Sequence, residues 1–446
     1  MVTPAGAERV RERSLRVSEL QEAWPVLSPE ERLEGLQLLT HSEAEDFLLG
    51  LPARDQAELI LQMSPADRRS WMRLLPPDDA ADVIQEAPDP ERDALLALLD
   101  DPTRKEVAAL LAYAEDDAGG LMNPRYARLR PEMSVDEAIT YLRRQARERL
   151  ETIYYVYVLD ADQRLLGVIS FRELFAAPPD KTVRDIMRTN VATAPEEMDQ
   201  EALSRLFATT GYLAIPVVDR ENHVKGIVTV DDIVDVVQEE ATEDIQKFGG
   251  MEALDAPYLE IGFVSMLRKR AGWLAILFVG EMLTATAMGF YEREIARAVV
   301  LALFVPLIIS SGGNSGSQAS TLVVRALALG ELKLRDWWRV VRREISAGFF
   351  LGAILASIGL ARILIWQALF HTYGEHYALI ALTVSGSLIG VVTWGTLAGS
   401  MLPLVLRKLG FDPASASAPF VATLVDVSGL IIYFSVASLI LRGSLL

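Results

Sequence analysis

The stretch PFVATLVDVSG, residues 419–429, decides how this 446-residue chain folds and works. It begins an apolar run from Pro419 to Leu441 that is long enough to cross a bilayer as a helix. Asp426 is the only formal charge in that run. A carboxylate near mid-membrane costs roughly 2.5–3.5 kcal/mol on insertion scales, so it usually faces an ion path or a partner. We expect Asp426 to meet a hydrated divalent cation. The alternative is a buried, hydrogen-bonded or protonated Asp that holds helices together.

Four more apolar spans precede this run. The five spans lie near residues 271–290, 298–324, 345–370, 377–406 and 419–441. Basic clusters mark the cytoplasmic ends of membrane helices, and here they lie at 268–270, 333–343 and 407–408. The pattern predicts a multi-pass protein of the cell membrane with a cytoplasmic N-terminus and an external C-terminus. A channel or carrier with five spans per chain is expected to need a second, symmetry-related copy.

Two spans carry further polar residues at membrane depth. The second span contains GGNSGSQ, residues 312–318, whose glycines let a helix break or pack closely and whose Asn, Ser and Gln offer uncharged oxygens. Helix packing and a pore-lining role both remain open for this motif. Glu281 in the first span is a second intramembrane acid. It is expected to face the same path as Asp426, to pair with an Arg, or to lie near an interface.

The front half of the chain, unlike the apolar spans, is rich in charged residues and strongly acidic. Residues 1–260 hold 28 Lys and Arg against 52 Asp and Glu, a net charge of −24, whereas residues 261–446 hold 15 against 9, a net of +6. So acidic a segment disfavours nucleic acid as a partner and favours cations. The chain has no cysteine, which excludes disulfides and thiolate metal sites. With four histidines and no nucleophile–base arrangement, no catalytic constellation stands out, so we do not expect an enzyme.

Residues 27–99 repeat with a period of 12. In most units an apolar residue precedes Ser, Pro or Asp, and a two-turn amphipathic helix follows, as in LSPEERLEGLQL from Leu27 and MSPADRRSWMRL from Met63. Helices this short cannot bury a core alone, so they are expected to stack into a superhelix. Asp78, Asp79 and Asp82 fall near the start of one helix, where complementing the helix dipole is the simpler explanation.

The next region contains two copies of a β-α-β-β-α module. Each copy ends with Gly, two aliphatic residues and Ser or Thr opening a helix, at 167–170 and 226–229. Here the sequence resembles a pair of CBS domains, which implies a regulatory module that binds adenine nucleotides or cations. In that family an acid three positions after the Ser or Thr contacts the ribose. The resemblance therefore implies ATP as a candidate ligand, with four candidate contacts: Tyr155, Glu173, Tyr212 and Asp232. A purely structural CBS pair is the alternative.

An acidic connector follows the second module. Seven acids crowd the stretch from Asp231 to Asp244, and like charges three or four residues apart destabilise a helix unless solvent or cations screen them. A second helix is expected to start at about Leu254 and to run into the membrane.

The whole order of parts, with GGNSGSQ and PFVATLVDVSG, resembles the MgtE family of magnesium transporters and channels. The resemblance implies a multidomain α and α/β chain: an all-α superhelical N domain, a tandem CBS α/β domain, a long connecting helix and a five-helix transmembrane domain. The expected boundaries are 1–118 for the N domain, 119–180 and 181–240 for the CBS domains, 241–267 for the connecting helix, and 268–446 for the membrane domain.

The resemblance also implies function and sites. It implies a homodimer with one central Mg²⁺ pore in the lipid bilayer, closed when cytosolic Mg²⁺ binds and the connecting helix acts as a plug. Asp426 matches the selectivity aspartate, Ala422 matches a backbone-carbonyl position at the same ion, and Asp412 matches an acid near the plug. Further implied cation positions are Asp78, Asp82, Glu201, Ala208, Asp232, Asp235, Glu240, Glu243 and Asp244.

Three positions depart from the family pattern. Ala418 replaces an Asn before the pore-motif proline, Gly211 stands where an acidic ligand is found, and Glu173 replaces the commoner Asp. Two other functions stay open from the residues alone. One is a secondary carrier that couples divalent cations to another ion through Glu281 and Asp426. The other is a non-transporting membrane sensor of Mg²⁺ or nucleotide.

Overall fold

The computed structural model describes residues 17–147, 150–259 and 261–442. The chain divides into two compact units between Val237 and Gln238. Each unit is described below by itself.

The first unit begins with seven short helices whose starts are 12 residues apart. They are α1 (Pro29–Gln37), α2 (His41–Leu49), α3 (Ala53–Gln62), α4 (Pro65–Met72), α5 (Pro77–Glu86), α6 (Asp89–Leu96) and α7 (Asp101–Leu110). Ser28 and Ser64 cap α1 and α4 by accepting hydrogen bonds from backbone N–H groups of the first turn. The predicted period is confirmed, and it extends one helix further than the repeat found in the sequence.

Alternate helices of this array pack on one another: α1 on α3, α3 on α5, and α5 on α7. Ile60 of α3, Ile84 of α5 and Leu95 of α6 are fully or almost fully buried in the shared core. Because α1, α3, α5 and α7 pack in succession and the helices between them add to the same core, the units stack as the superhelix that the period predicts.

Two copies of an α/β module follow. The first contains β1 (Arg128–Leu129), α8 (Val135–Gln145), β2 (Tyr155–Leu159), β3 (Leu165–Ser170) and α9 (Phe171–Ala176). Strand β1 pairs parallel with β2, and β2 pairs antiparallel with β3. Ser170 ends β3 and caps α9, with Glu173 completing a capping box.

The second copy repeats this topology. After the short helix α10 (Val183–Ile186) come β4 (Ala194–Pro195), α11 (Gln200–Thr210), β5 (Ala214–Val218), β6 (Val224–Thr229) and α12 (Val230–Phe248). The sheet order is β4-β5-β6, with the same parallel and antiparallel pairs as in the first copy. The predicted pair of β-α-β-β-α modules is therefore confirmed.

The connector differs from its prediction. Helix α12 starts at Val230, directly after β6, and ends at Phe248, whereas the connecting helix was expected over 241–267. Gly249 and Gly250 end it, and Gly250 adopts a left-handed φ of +77° that favours glycine. The second helix does not start near Leu254 as expected; it starts at Phe263, because Pro257 and the two glycines disfavour continuous helix.

The second unit contains five helices long and apolar enough to cross a membrane, as predicted. They are α13 (Phe263–Phe290), α16 (Val305–Ala328), α17 (Trp337–Phe370), α18 (Tyr377–Lys408) and α19 (Ala418–Leu441); short helices α14 (Glu292–Arg297) and α15 (Val299–Ala302) precede α16. Helix α18 packs on α17, α16 and α19, whereas α13 lies against α19.

Candidate functional site

A cavity of about 450 Å³ lies between the first, second and fifth spans. Helices α13, α16 and α19 supply its walls. The polar lining side chains are Glu281 and Thr284 of α13, Ser310 and Asn314 of α16, and Asp426 of α19. The remaining lining residues are Met288, Val305, Pro306, Ile309, Gly313, Ala422 and Leu430.

Local sequence fixes how α19 presents Asp426. Ser417 caps the helix by accepting a hydrogen bond from the Phe420 N–H at 3.3 Å, and proline occupies the first turn. Val421 and Val425 are fully buried against the bundle. Ala422 and Asp426 are one turn apart and therefore share the neighbouring face, which lines the cavity.

The motif at 312–318 serves two faces of one unbroken helix. A Cβ on Gly316 would lie 2.8 Å from the Gly395 carbonyl oxygen of α18, and a Cβ on Gly312 would lie 2.6 Å from Val391 Cγ1. These glycines allow α16 and α18 to approach closely. Gly313 and Asn314 point the other way and line the cavity. The helix does not break: its glycines pack on α18, and Gly313 and Asn314 line the cavity, while a pore-lining role stays a prediction.

Glu281 lies on the same cavity as Asp426. The two carboxyl groups are close enough to act on each other electrostatically. Of the three expectations for Glu281, this position matches the first. Since the two residues are far apart in sequence, their meeting follows from the packing of α13 against α19.

Hydroxyl groups of α16 hold the segment that leads into α19. Ser317 Oγ donates to the Ala418 carbonyl at 3.2 Å, and Ser320 Oγ donates to the Ala416 carbonyl at 2.9 Å. Ala418, which replaces the family's Asn, is thus held through its backbone. A 3₁₀ helix, Pro413–Ser415, precedes this segment.

Both carboxylate oxygens of Asp412 accept hydrogen bonds. Its Oδ1 accepts from the Ala414 N–H at 2.8 Å, and its Oδ2 accepts from Lys247 Nζ at 2.8 Å. Lys247 also pairs with Glu243 on α12. Burial opposes the charged form, but the Asp412 and Glu243 carboxylates raise the pKa of Lys247 above its usual range. An ammonium group thus joins two residues predicted as cation ligands, and the sequence did not single out Lys247.

The turn at Gly249 and Gly250, which follows α12, packs against α13 and the start of α19. A Cβ on Gly250 would lie 2.9 Å from the Trp273 ring and 3.2 Å from Pro419 Cγ. Trp273 Nε1 in turn donates to Ser417 Oγ at 3.2 Å. The end of the connector therefore contacts the residues that start α19.

A buried acidic cluster lies in the first unit. Asn123 Nδ2 donates to Asp78 Oδ1 at 2.9 Å and to Glu151 Oε2 at 2.7 Å. Asp79 and Asp232 act electrostatically on the same Glu151 carboxyl. The structure thus brings together two predicted residues, Asp78 and Asp232, that are far apart in sequence.

The cluster makes its members hold protons. Burial raises the pKa of Asp79 to about 8, and the carboxylates of Asp78 and Asp82 add to this shift. Burial also raises the pKa of Glu151 to about 8 and that of Asp232 to about 7. Sequence reasoning missed Glu151, which lies in a polar loop before β2 with no pattern around it. A divalent cation would neutralise such a cluster as protons do.

The other predicted cation positions are on two helices. On α11, Glu201 pairs with Arg205 at 2.6 Å, and Ala208 lies in the same helix. Gly211 ends α11 with a left-handed φ of +66°, which explains glycine at a position where an acid was expected. Asp235, Glu240, Glu243 and Asp244 lie on α12; of these, Glu243 lies beside Lys247.

The residues predicted for ATP are already engaged with protein groups. The rings of Tyr155 and Tyr212 contact each other edge to face at 5.9 Å, which leaves no gap for an adenine between them. Glu173 Oε2 accepts from Ser170 N and Oγ at 3.1 and 2.7 Å, and Oε1 pairs with Arg188. Although partial burial acts the other way, these bonds lower the pKa of Glu173. Asp232 accepts from Thr229 N and Oγ1 at 3.1 and 2.8 Å.

Five apolar helices, a cavity with carboxylates between three of them and an acidic pair of α/β modules define a multi-pass transporter of cations. Comparison with known families supports this class. The profile described as a divalent cation transporter matches residues 305–436, that of the MgtE intracellular N domain matches 15–116, and that of the CBS domain matches 118–180 and 183–239.

The chain belongs to the MgtE family of magnesium transporters. It is 41% identical to the magnesium transporter MgtE of Thermus thermophilus over 423 residues, which cover 94% of this chain and 92% of the relative. It is 32% identical to MgtE of Bacillus subtilis, over 91% of this chain and 88% of the relative. Among solved structures, the cytosolic domain of the Mg²⁺ channel MgtE in complex with ATP is 40% identical; the match covers 52% of this chain and 98% of that one, with a TM-score of 0.47.

Proposed function

We propose that this protein is a Mg²⁺-selective channel of the cell membrane that works as a homodimer and closes when cytosolic Mg²⁺ binds. The observation that carries the proposal is the cavity between three apolar spans, with Asp426 in its wall. Family membership supports magnesium as the cargo. The N-terminus lies in the cytoplasm and the C-terminus outside, in accord with the basic clusters beside the spans.

Selection works on the hydrated ion. Mg²⁺ holds its six waters tightly and prefers octahedral oxygen coordination, so stripping them is costly. The Asp426 carboxylate, the Ala422 backbone carbonyl and the Asn314 amide oxygen instead accept hydrogen bonds from those waters. A monovalent ion gains less from the same negative groups, which favours the divalent ion.

Two chains complete the path. Each chain brings one cavity wall with Asp426, and a two-fold axis would place the two aspartates around one ion. Helix α13 keeps intermediate or high exposure along its length in the single chain, which is consistent with further contacts in a dimer or with lipid.

Gating uses the acidic segment 1–260. The net charge of −24 over residues 1–260 makes a loose state favourable until cations neutralise it. The cluster around Asp78, Glu151 and Asp232 supports this role, since its carboxyl groups are buried and no Lys or Arg among residues 17–147, 150–259 and 261–442 pairs with any of these three. A cation shifts the equilibrium only by its difference in affinity for the two states, so several such sites give the steep response.

The connector transmits the change. Its end contacts the start of α19 through Lys247 with Asp412 and through Gly250 with Trp273 and Pro419. This contact is the plug position in the proposed closed state. ATP remains a candidate regulatory ligand of the CBS pair, and its binding requires Tyr155 and Tyr212 to separate.

The decisive experiment measures divalent flux into liposomes that contain the purified protein. Wild type is compared with Asp426→Asn, and Glu344→Gln on α17 serves as a matched control because it removes a carboxylate from another span outside the cavity. We expect flux in wild type and control, no flux in Asp426→Asn, and lower flux when Mg²⁺ is high on the cytoplasmic side.

Other outcomes point elsewhere. Normal flux in Asp426→Asn refutes the pore assignment. Flux that high cytoplasmic Mg²⁺ leaves unchanged keeps the channel and refutes the gating. Flux that requires a proton or Na⁺ gradient favours a secondary carrier, and no flux under any condition favours a membrane sensor.

A further inference from the structure

Glu281 is a second acid in the membrane unit. Selection by Asp426 alone does not explain why this acid is there. It is the only acid of α13, and it is exposed in the single chain within an apolar span. An ionised carboxylate exposed to lipid is unfavourable, so a glutamate at this depth faces a bundle interior or a water-filled cavity. The cavity provides that environment, because Glu281 is part of its wall.

Thr284 supports the conclusion that Glu281 faces the cavity. It follows Glu281 by three residues on α13, so the two side chains share a helix face, and both line the cavity. Thr284 Oγ1 is buried and has no hydrogen-bond partner among the residues that the structure describes. A buried hydroxyl without a partner is unfavourable unless water or a ligand completes it. Carboxylate and hydroxyl together present oxygens to the same space.

An ion pair does not explain Glu281. Within residues 17–147, 150–259 and 261–442, the ion pairs of the membrane unit involve Lys247, Lys269 and Arg339, and none includes Glu281. Its charged neighbour is Asp426, a like charge. Two carboxylates side by side repel each other until one of them binds a proton or a cation lies between or beside them.

The cavity is large enough for a hydrated ion. Six waters occupy about 180 Å³ at the volume of liquid water, against about 450 Å³ here. We propose that Glu281 is a second cation-facing carboxylate of the ion path, which holds a hydrated divalent cation together with Asp426 and sets the preference for divalent over monovalent ions. This inference rests on the proposed function of the cavity as the Mg²⁺ path.

The two acids reach the ion from different helices. Asp426 lies on α19 beside Ala422, whereas Glu281 reaches the ion from α13 on a longer side chain. A dimer thus carries four carboxylates around the path instead of two. Since the attraction grows with the product of the charges, a divalent ion gains twice as much from the second pair as a monovalent ion does.

The experiment compares Glu281→Gln, Glu281→Asp, Asp426→Asn and the control Glu344→Gln in liposomes, with Mg²⁺ and Na⁺ flux measured separately. We expect Glu281→Gln to lower Mg²⁺ flux by at least about tenfold and to raise the ratio of Na⁺ to Mg²⁺ flux. Glu281→Asp keeps the charge and retains most of the flux and selectivity, which shows that the Gln variant fails through lost charge and not through misfolding.

The outcomes separate this inference from the function on which it rests. Wild-type rates and selectivity in Glu281→Gln, with flux abolished in Asp426→Asn, overturn the role of Glu281 and leave the channel in place. Loss of flux in Glu281→Gln and Glu281→Asp alike, with reduced yield of folded protein, assigns Glu281 to structure and overturns it too. No flux in wild type refutes both proposals.

Discussion

Replacing Gly316 by Ala tests the close packing of α16, a wall of the cavity, on α18. The added methyl would lie 2.8 Å from the Gly395 carbonyl oxygen and 2.8 Å from Val421 Cγ1. It must retreat by about 0.6 Å to reach an ordinary contact of 3.4 Å. The valine can adjust its rotamer, but the carbonyl belongs to the α18 backbone and moves only if the helix moves.

The magnitude follows from two opposing effects. Overpacking a well-packed core typically costs about 1–3 kcal/mol. Because the atom in the way here belongs to the backbone, we expect a cost at the upper end, about 3 kcal/mol. Alanine in place of glycine gains about 1 kcal/mol of helix propensity. We therefore expect a net loss of about 2 kcal/mol in the free energy of unfolding.

Gly313→Ala is the matched control on the same helix. Its methyl would lie 3.5 Å from Ala422 Cα and Cβ, which is an ordinary contact, so the variant keeps or gains stability. Gly386→Ala on α18, with 3.7 Å to Val436 Cγ1, is a control outside the motif. Thermal unfolding of the detergent-purified proteins, followed by tryptophan fluorescence, measures the difference. If Gly316→Ala unfolds at the same temperature as both controls, the account of close packing between α16 and α18 is wrong.

Three further predictions concern the parts of the chain outside the five spans. Lys247→Gln removes the ammonium beside Asp412, so at low Mg²⁺ we expect faster proteolysis of the connector. Added Mg²⁺ should restore protection. Unchanged cleavage of the variant contradicts the plug contact. In divalent-free buffer, stability should fall as pH rises from about 4 to about 8, because folded Asp79 and Glu151 retain protons up to about 8 that the unfolded chain releases near 4. Thermal scans across that range test the sign, and Mg²⁺ should stabilise more at pH 8 than at pH 6. Gly211→Ala should lower stability by about 1 kcal/mol through its left-handed φ, as measured by denaturant titration.

Local patterns predicted most of the fold. The 12-residue period, the two β-α-β-β-α modules and the five spans each depend on residues close in sequence, such as Ser28 before its helix or the apolar run from Pro419. The helix after Leu254 was the error, since charge density alone does not mark where a connector breaks. Gly249 and Gly250 carried that signal.

The candidate site was predictable only in part. Asp426 stood out because a charge in an apolar run is visible in the sequence, whereas Ala422 was named only because the resemblance to the MgtE family implied it. The meeting of Asp426 with Glu281, and of Asp78 with Glu151, depends on tertiary packing between distant segments. Lys247 was hidden among many acids, and only its contact with Asp412 gives it a role.

The alternate packing of the N-terminal helices constrains how this region changes length during evolution. The helices start 12 residues apart, and α1, α3, α5 and α7 pack in succession, each on the helix two places along. Adding or losing one helix between α1 and α5 would move the helices before it to the opposite side of the stack. A pair of helices, 24 residues, restores the sides. Natural variants of this region are therefore expected to differ in length by pairs of helices on the N-terminal side of α5, where such changes leave the contact between Asp78 and Asn123 untouched.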